Sequence, residues 1–379
     1  MTVPLRPVPA GPSLPDALAE ALDGGPAVLP VPGDPALRAR LLAALRPDLP
    51  LESPAAVVVP TSGSTGEPKG ALLTASALLA SSRATLDRLG GPGTWLLALP
   101  TTHIAGIQVL VRSLVAGTAP VWLDLAAGFS PAAFAAAASR VDGPRRYTAL
   151  VPTQLVRLLE TGGAALDALA SFDAVLLGGA ATPPSLLESA VRAGVHVVTT
   201  YGSSETSGGC VYDGVPLSGV DVRTDPTGRL TIGGPVVFSG YRLRSDLTAE
   251  SLVDGRYVTN DLGSVSGGRV AVIGRADEII VTGGEKVAPA AVEAVLAAHP
   301  AVREAAVVGV PDAEWGQRVV AVVVGDTTLE AVREHVAATL GRRAAPSRLV
   351  VVDDLPRLAL GKIDRAAVRR LAGSSDEED

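Results

Sequence analysis

Hydroxyls, glycines and one lysine are concentrated in a single short stretch. Thr61, Ser62, Gly63, Ser64, Thr65 and Gly66 are followed by Pro68, Lys69 and Gly70. Glycines let backbone N–H groups close on an anion, the hydroxyls add donors, and Lys69 supplies a mobile point charge, so the stretch suits a phosphate. It is not a Walker A loop, which needs Gly-Lys-Ser/Thr at its end, whereas Pro68 precedes this lysine and Gly70 follows it. A surface turn built from ordinary turn formers is the alternative. Lysine usage favours the phosphate. Of 32 basic residues only Lys69, Lys286 and Lys362 are lysine, and each stands beside glycine or in a glycine-rich run. A compact ammonium does at a crowded phosphate or carboxylate what a planar guanidinium cannot.

Two further polar turns follow apolar runs. One is Gly178, Gly179 and Ala180, running on to Pro183; the other is Tyr201, Gly202, Ser203, Ser204, Glu205 and Thr206. In the second, Tyr201 offers a flat face for a base, Ser204 a hydroxyl, and Glu205 a carboxylate suited to Mg²⁺ bridging phosphates. His103, after the run Trp95 to Pro100, is placed to line a pocket, with a structural histidine as the alternative. Together these turns would surround one nucleotide.

The elements that must position them are read from periodicity. Two short helices are expected between Leu14 and Leu45, separated by a turn at Val28 to Gly33. The run Ala55 to Val59 reads as a strand entering the phosphate loop, and Thr74 caps a helix reaching Leu89, which puts the loop near a strand-turn-helix junction. Strands at 120–123, 147–151, 174–177 and 196–200 alternate with helices starting at Pro131, Pro152 and Pro184. The fold class is therefore α/β with a mostly parallel sheet, whose ligands bind at the carboxyl ends of strands. From Gly219 to Gly263 short strands suggest a small antiparallel barrel or sheet. Beyond Asp277 a strand from Glu278, a helix from Pro289, two strands, a helix, a strand and a closing helix make a compact α+β unit. The acidic tail 373–379 reads as disordered.

Whole-chain properties exclude several classes. With 379 residues, 47% hydrophobic, there is room for two domains with large cores. A net charge of −7 argues against nucleic acid as a partner, and Cys210, the single cysteine, against a disulfide framework. The N-terminus lacks a signal-peptide core, and the longest apolar segment, 104–125, is broken by polar residues and Pro120. A cytoplasmic protein without membrane insertion is expected, with homo-oligomerisation left open.

In chain order these pieces closely resemble the acyl-adenylate-forming superfamily of acyl-CoA ligases, adenylation domains and luciferases, from about Ala55 to Leu371. Residues 61–70 look like its phosphate loop, 178–183 like its adenine-side loop, and 201–206 like its aromatic-Gly-x-Thr-Glu motif. Residues 228–241 match a glycine-rich strand motif, Gly274, Arg275 and Asp277 a hinge motif that runs on to Pro289, and 360–365 a C-terminal motif. The resemblance implies ATP, Mg²⁺ and coenzyme A as cofactor and co-substrates, and a small carboxylic acid as substrate. It makes Lys362 the catalytic lysine, with Lys69, Ser204 and Glu205 beside it and Glu205 holding the metal. It gives nucleotide binding to Thr61, Ser62, Gly63, Ser64, Thr65, Gly66, Gly178, Gly179, Ala180, Tyr201, Gly202, Asp261 and Arg275, and makes Asp277 the pivot. Ser204 stands in for the usual threonine and Asn260 for the usual glycine. The implied organisation is a large N-terminal AMP-binding domain (1–274), a hinge (275–277) and a small mobile C-terminal domain (278–372). The shortened N-terminus and the run Tyr201 to Pro216 resemble the compact o-succinylbenzoate-CoA ligases of menaquinone biosynthesis. In those ligases a pocket histidine and an arginine nine residues on are thought to face the acid, as His103 and Arg112 would here; a helix-surface charge is the alternative for Arg112. Activation of another aryl or fatty acid, loading of a carrier-protein thiol, and non-catalytic nucleotide binding are the competing readings.

Overall fold

Runs that are apolar on both faces become interior strands. In the computed structural model, which describes residues 5–62, 68–357 and 363–373, β1 (Leu5–Pro9), β2 (Ala27–Val31) and β3 (Val57–Ser62) lie parallel, and β4 (Pro68–Leu73) returns antiparallel to β3. Helices α1 (Leu14–Leu22) and α2 (Pro35–Leu45) connect the first three. The turn expected at Val28 to Gly33 is thus a strand as far as Val31, buried along its whole length. Pro30 does not break it, because β2 pairs with β3 only at Val28 and has a single neighbour beyond.

The phosphate stretch also differs from expectation. Ser62 pairs with Pro68 and Thr61 with Lys69, so residues 63–67 join two antiparallel strands instead of leading from strand to helix. Ala71, Leu72 and Leu73 are buried, and that burial extends the chain as β4 before α3 (Ala75–Arg88) begins. The expected cap is present: the Thr74 hydroxyl accepts the Ala77 N–H at 3.1 Å.

The central sheet is built by β5 (Thr94–Leu97), β6 (Val121–Trp122), β7 (Arg146–Leu150), β8 (Ala174–Leu177) and β9 (Val197–Ser203), all parallel, in the order β6-β5-β7-β8-β9. Helices α4 (Ile104–Ala116), α5 (Pro131–Ala138), α6 (Pro152–Thr161), α7 (Gly163–Ala170) and α8 (Pro184–Arg192) make the connections. Antiparallel β10 (Gly208–Tyr212) and β11 (Val215–Pro216) complete seven strands. One core, with Trp95, Tyr147 and Leu110, lies between this sheet and the first; another, with Phe134, Leu155 and Phe172, covers the opposite face.

An antiparallel sheet follows, of β12 (Asp221–Thr224), β13 (Arg229–Gly233), β15 (Leu252–Val253), β16 (Arg256–Ser266) and β17 (Arg269–Arg275). From the same region β14 (Gly240–Tyr241) departs to close the first sheet beside β4, ahead of α9 (Ser245–Ser251). The last unit holds β18 (Ile280–Thr282), β19 (Glu285–Val287), α10 (Pro289–Leu296), β20 (Val302–Asp312), β21 (Gly316–Gly325), α11 (Leu329–Leu340), β22 (Arg348–Val351) and α12 (Arg365–Gly373). Its first strand starts at Ile280 rather than Glu278, because Ala276–Glu278 form a 3₁₀ turn. Apolar clusters cover both faces of its sheet. The tail from Ser374 lies outside the described residues. Among the described residues no helix is long and apolar enough to cross a membrane.

Candidate active site

The carboxyl ends of β8 and β9 carry two glycines that the backbone requires. A Cβ on Gly178 would lie 2.3 Å from the Thr200 hydroxyl oxygen, and one on Gly202 would lie 2.2 Å from the Gly208 carbonyl oxygen. Neither position has room for a methyl group. Close approach of these strand ends leaves β9 free to turn at once into the 3₁₀ segment Ser204–Thr206. The Thr206 hydroxyl fixes that turn, lying 2.8 Å from the Ser203 N–H and 2.7 Å from the Gly208 carbonyl.

Glu205, in the middle of the turn, is buried at 8% exposure. Its Oε1 accepts the Tyr241 hydroxyl at 2.7 Å, and its own carbonyl accepts the Phe238 N–H at 2.9 Å. Burial, and then the Glu205 charge, push the Tyr241 phenol far above its usual range, which keeps it a donor. The Lys69 ammonium stands 5.6 Å from the centre of the same ring. The pairing of β14 with β4 thus brings a lysine of the first sheet, a tyrosine from residue 241 and a glutamate of the central sheet together.

Four residues before Glu205, the Tyr201 hydroxyl donates to Asp261 Oδ2 at 2.8 Å. Asp261 on β16 is the cross-strand partner of Arg275 on β17, with the guanidinium 3.8 Å from its Oδ1. Arg275 also donates to Asp277 at 3.0 Å, so the expected ribose pair and the expected pivot are linked by one side chain. Tyr257 lies close by: burial, and then the Glu205 and Asp261 charges, raise its phenol.

Three other expected residues lie at α4 and on β19. His103 is half-buried at the N-cap of α4, beyond the end of β5 at Leu97. Arg112 is buried, at 3% exposure, and does not form part of the helix surface. It donates to the Tyr212 hydroxyl at 3.3 Å and lies 5.2 Å from the Trp95 ring centre. Arg112 stands nine residues on from His103, roughly 13 Å along the helix. Lys286 is exposed on β19. Gly63, Ser64, Thr65, Gly66 and Lys362 lie outside the described residues, and only the backbone of Ser62 is described.

Tyr241 and Tyr257 were not singled out by sequence. The signal that could have found them is rarity: the chain has five tyrosines, and Tyr201, Tyr241 and Tyr257 all gather here. Among the described residues no group of three or more His, Cys, Asp or Glu could hold a metal by itself. A single buried carboxylate, bonded to the tyrosine whose ring a lysine approaches, instead fits a metal that arrives with phosphate oxygens.

The sequence matches the AMP-binding enzyme family over residues 38–257 and the AMP-binding enzyme C-terminal domain over 291–362. It is 52% identical over 385 aligned residues to the Mycobacterium tuberculosis protein named "Probable 2-succinylbenzoate--CoA ligase", covering 98% of this chain and 99% of that one. Among solved structures it resembles the Bacillus subtilis o-succinylbenzoate CoA synthetase in complex with the acyl-adenylate intermediate, with a TM-score of 0.75, 25% identity, and 94% and 81% of the two chains covered. The same synthetase with ATP and magnesium ion gives a TM-score of 0.72 at 29% identity, covering 82% and 69%.

Proposed function

The chain belongs to the AMP-binding enzyme family, and from that premise we propose that it joins o-succinylbenzoate to coenzyme A through an acyl-adenylate. A substrate carboxylate oxygen attacks the α-phosphorus of ATP and pyrophosphate leaves. The coenzyme A thiolate then attacks the acyl carbon and AMP leaves. No bond to the protein forms in either step. The observation that best supports this site is the pair of hydrogen bonds four residues apart, Tyr201 to Asp261 and Tyr241 to Glu205. They put groups suited to a nucleoside and groups suited to its phosphates along one strand end.

The chemistry calls for alignment and charge neutralisation more than for proton transfer. Tyr201, Asp261 and Arg275 would hold base and ribose, with the Gly178–Ala180 loop beside them. Lys69 and the hydroxyls of the loop after Ser62 would hold the outer phosphates. Glu205 fits Mg²⁺: one carboxylate oxygen is occupied by Tyr241, and among the described residues the other takes no hydrogen bond. When bound, Mg²⁺ would neutralise phosphate charge. His103, at the start of α4, would face the acid. Arg112, buried beside the Tyr212 hydroxyl and the Trp95 ring, would turn its positive charge toward the same acid. Lys362, in the C-terminal unit, would bridge the attacking carboxylate and the α-phosphate. That unit, 278–372, would turn at 275–277, closing for the first step and leaving to admit coenzyme A, with Lys286 approaching for the second.

The test is pyrophosphate release from ATP with and without o-succinylbenzoate, then mass spectrometry for the thioester once coenzyme A is added. Release and thioester that both depend on this acid are the expected result. Release with other aryl or alkyl acids alone would keep the chemistry and discard the substrate; no release with any acid would overturn both.

A further inference from the structure

One glutamine is fully buried in the seam between α3, α4 and the turn after β9. Gln108 accepts the Ser82 hydroxyl on Oε1 at 2.7 Å and donates from Nε2 to the Ser207 carbonyl, also at 2.7 Å. The Ser81 hydroxyl donates to that same carbonyl at 3.0 Å. Ser207 is left-handed, with φ 53°, a conformation that residues other than glycine keep only where their surroundings enforce it. It directly follows the turn that carries Glu205. Gly208 comes next and presses on the same side chain: a Cβ there would lie 3.3 Å from Gln108 Cγ.

We propose that Gln108 is a positioning residue for Glu205, its carboxamide pinning the Ser207 carbonyl and so setting the direction of the carboxylate that receives Mg²⁺ with ATP. This rests on the reading of Glu205 given above. The amide is held from both ends, by Ser82 on one side and Ser207 on the other, so its orientation is fixed, and its main-chain target within 3 Å is the residue directly after the turn. Gln108 also sits on the helix that His103 caps.

The experiment titrates the full chain with ATP by calorimetry, with and without Mg²⁺ and without any acid, so that nothing turns over. Gln108→Leu should leave metal-free ATP affinity unchanged and cut the Mg²⁺-dependent gain by about tenfold or more. Ser82→Ala, which keeps the amide but frees its far end, should cut it by a smaller factor in the same direction. In pyrophosphate release both should raise the Mg²⁺ requirement more than the KM for the acid, a split that a merely structural amide would not produce. Glu205→Gln is the reference for a lost metal contact. If Glu205→Gln abolishes the gain while Gln108→Leu and Ser82→Ala keep it, the positioning role is overturned and the reading of Glu205 stands. If Glu205→Gln keeps the gain, the metal reading fails and the inference goes with it. Should Gln108→Leu not fold, Ser82→Ala decides.

Discussion

At the scale of single residues, the scarcity of lysine carries most of the information. A chain that writes nearly every cation as arginine keeps an ammonium at Lys69, and Lys69 meets the ring that hydrogen-bonds Glu205. The same reasoning applies to Lys362. Lys362→Ala should lower acid-dependent pyrophosphate release by about 100-fold or more while calorimetry finds ATP binding little changed, and Lys362→Arg should not restore the rate. A rate unaltered by Lys362→Ala would remove that residue from the chemistry. Tyr201 and Glu205 stand out in sequence because they share a dense local run of glycine and hydroxyl residues, whereas Asp261 is named only by the resemblance. Tyr241 and Gln108 were not, since what matters about them is a partner more than 30 residues away, and no local spacing announces such a partner.

At the scale of elements, one arginine ties the segment after α2 to the first sheet. Arg242, directly after β14, is fully buried, and its guanidinium donates to the carbonyls of Leu45, Arg46, Leu49 and Pro50 and to Glu52. Its own N–H donates to the Gly70 carbonyl at 2.7 Å. The segment leaving α2 is thereby tied to the strand that carries Lys69. Arg242→Met would take this donor from four carbonyls, one buried and three part-buried, and should cost about 3 kcal/mol or more in a denaturant melt. Arg244→Met, which removes an exposed pair with Asp246, should cost less than about 1 kcal/mol. Similar losses for both would show that Arg242 is not a special tie. Here sequence reading succeeded with the alternating strands and helices of the central sheet and failed at β2 and β4. Val28 to Gly33 holds two prolines and a glycine, which locally say turn. Pairing with β1 and, at Val28, with β3, segments outside the reach of a local pattern, makes the first part of it a strand.

At the scale of the whole molecule, the C-terminal unit has apolar clusters on both faces of its own sheet. It also keeps its closing helix through its own charges: Arg365 lies 3.2 Å from Glu278 and donates to Glu293 at 3.0 Å. A fragment of residues 278–373 should therefore fold alone, with a cooperative thermal transition in circular dichroism and dispersed amide resonances. A fragment without a transition would mean that the division at 275–277 is not a domain boundary. The first sheet behaves in the opposite way. Its outer strand β14 comes from residues 240 and 241, which pair with Leu72 and Ala71. A ribosome making this chain releases β1 to β4 long before it makes the strand that completes them, so the hairpin bearing Lys69 waits through the synthesis of the entire central sheet with one edge open. Whatever guards that edge in the meantime, a chaperone or the pace of translation itself, acts before the site exists.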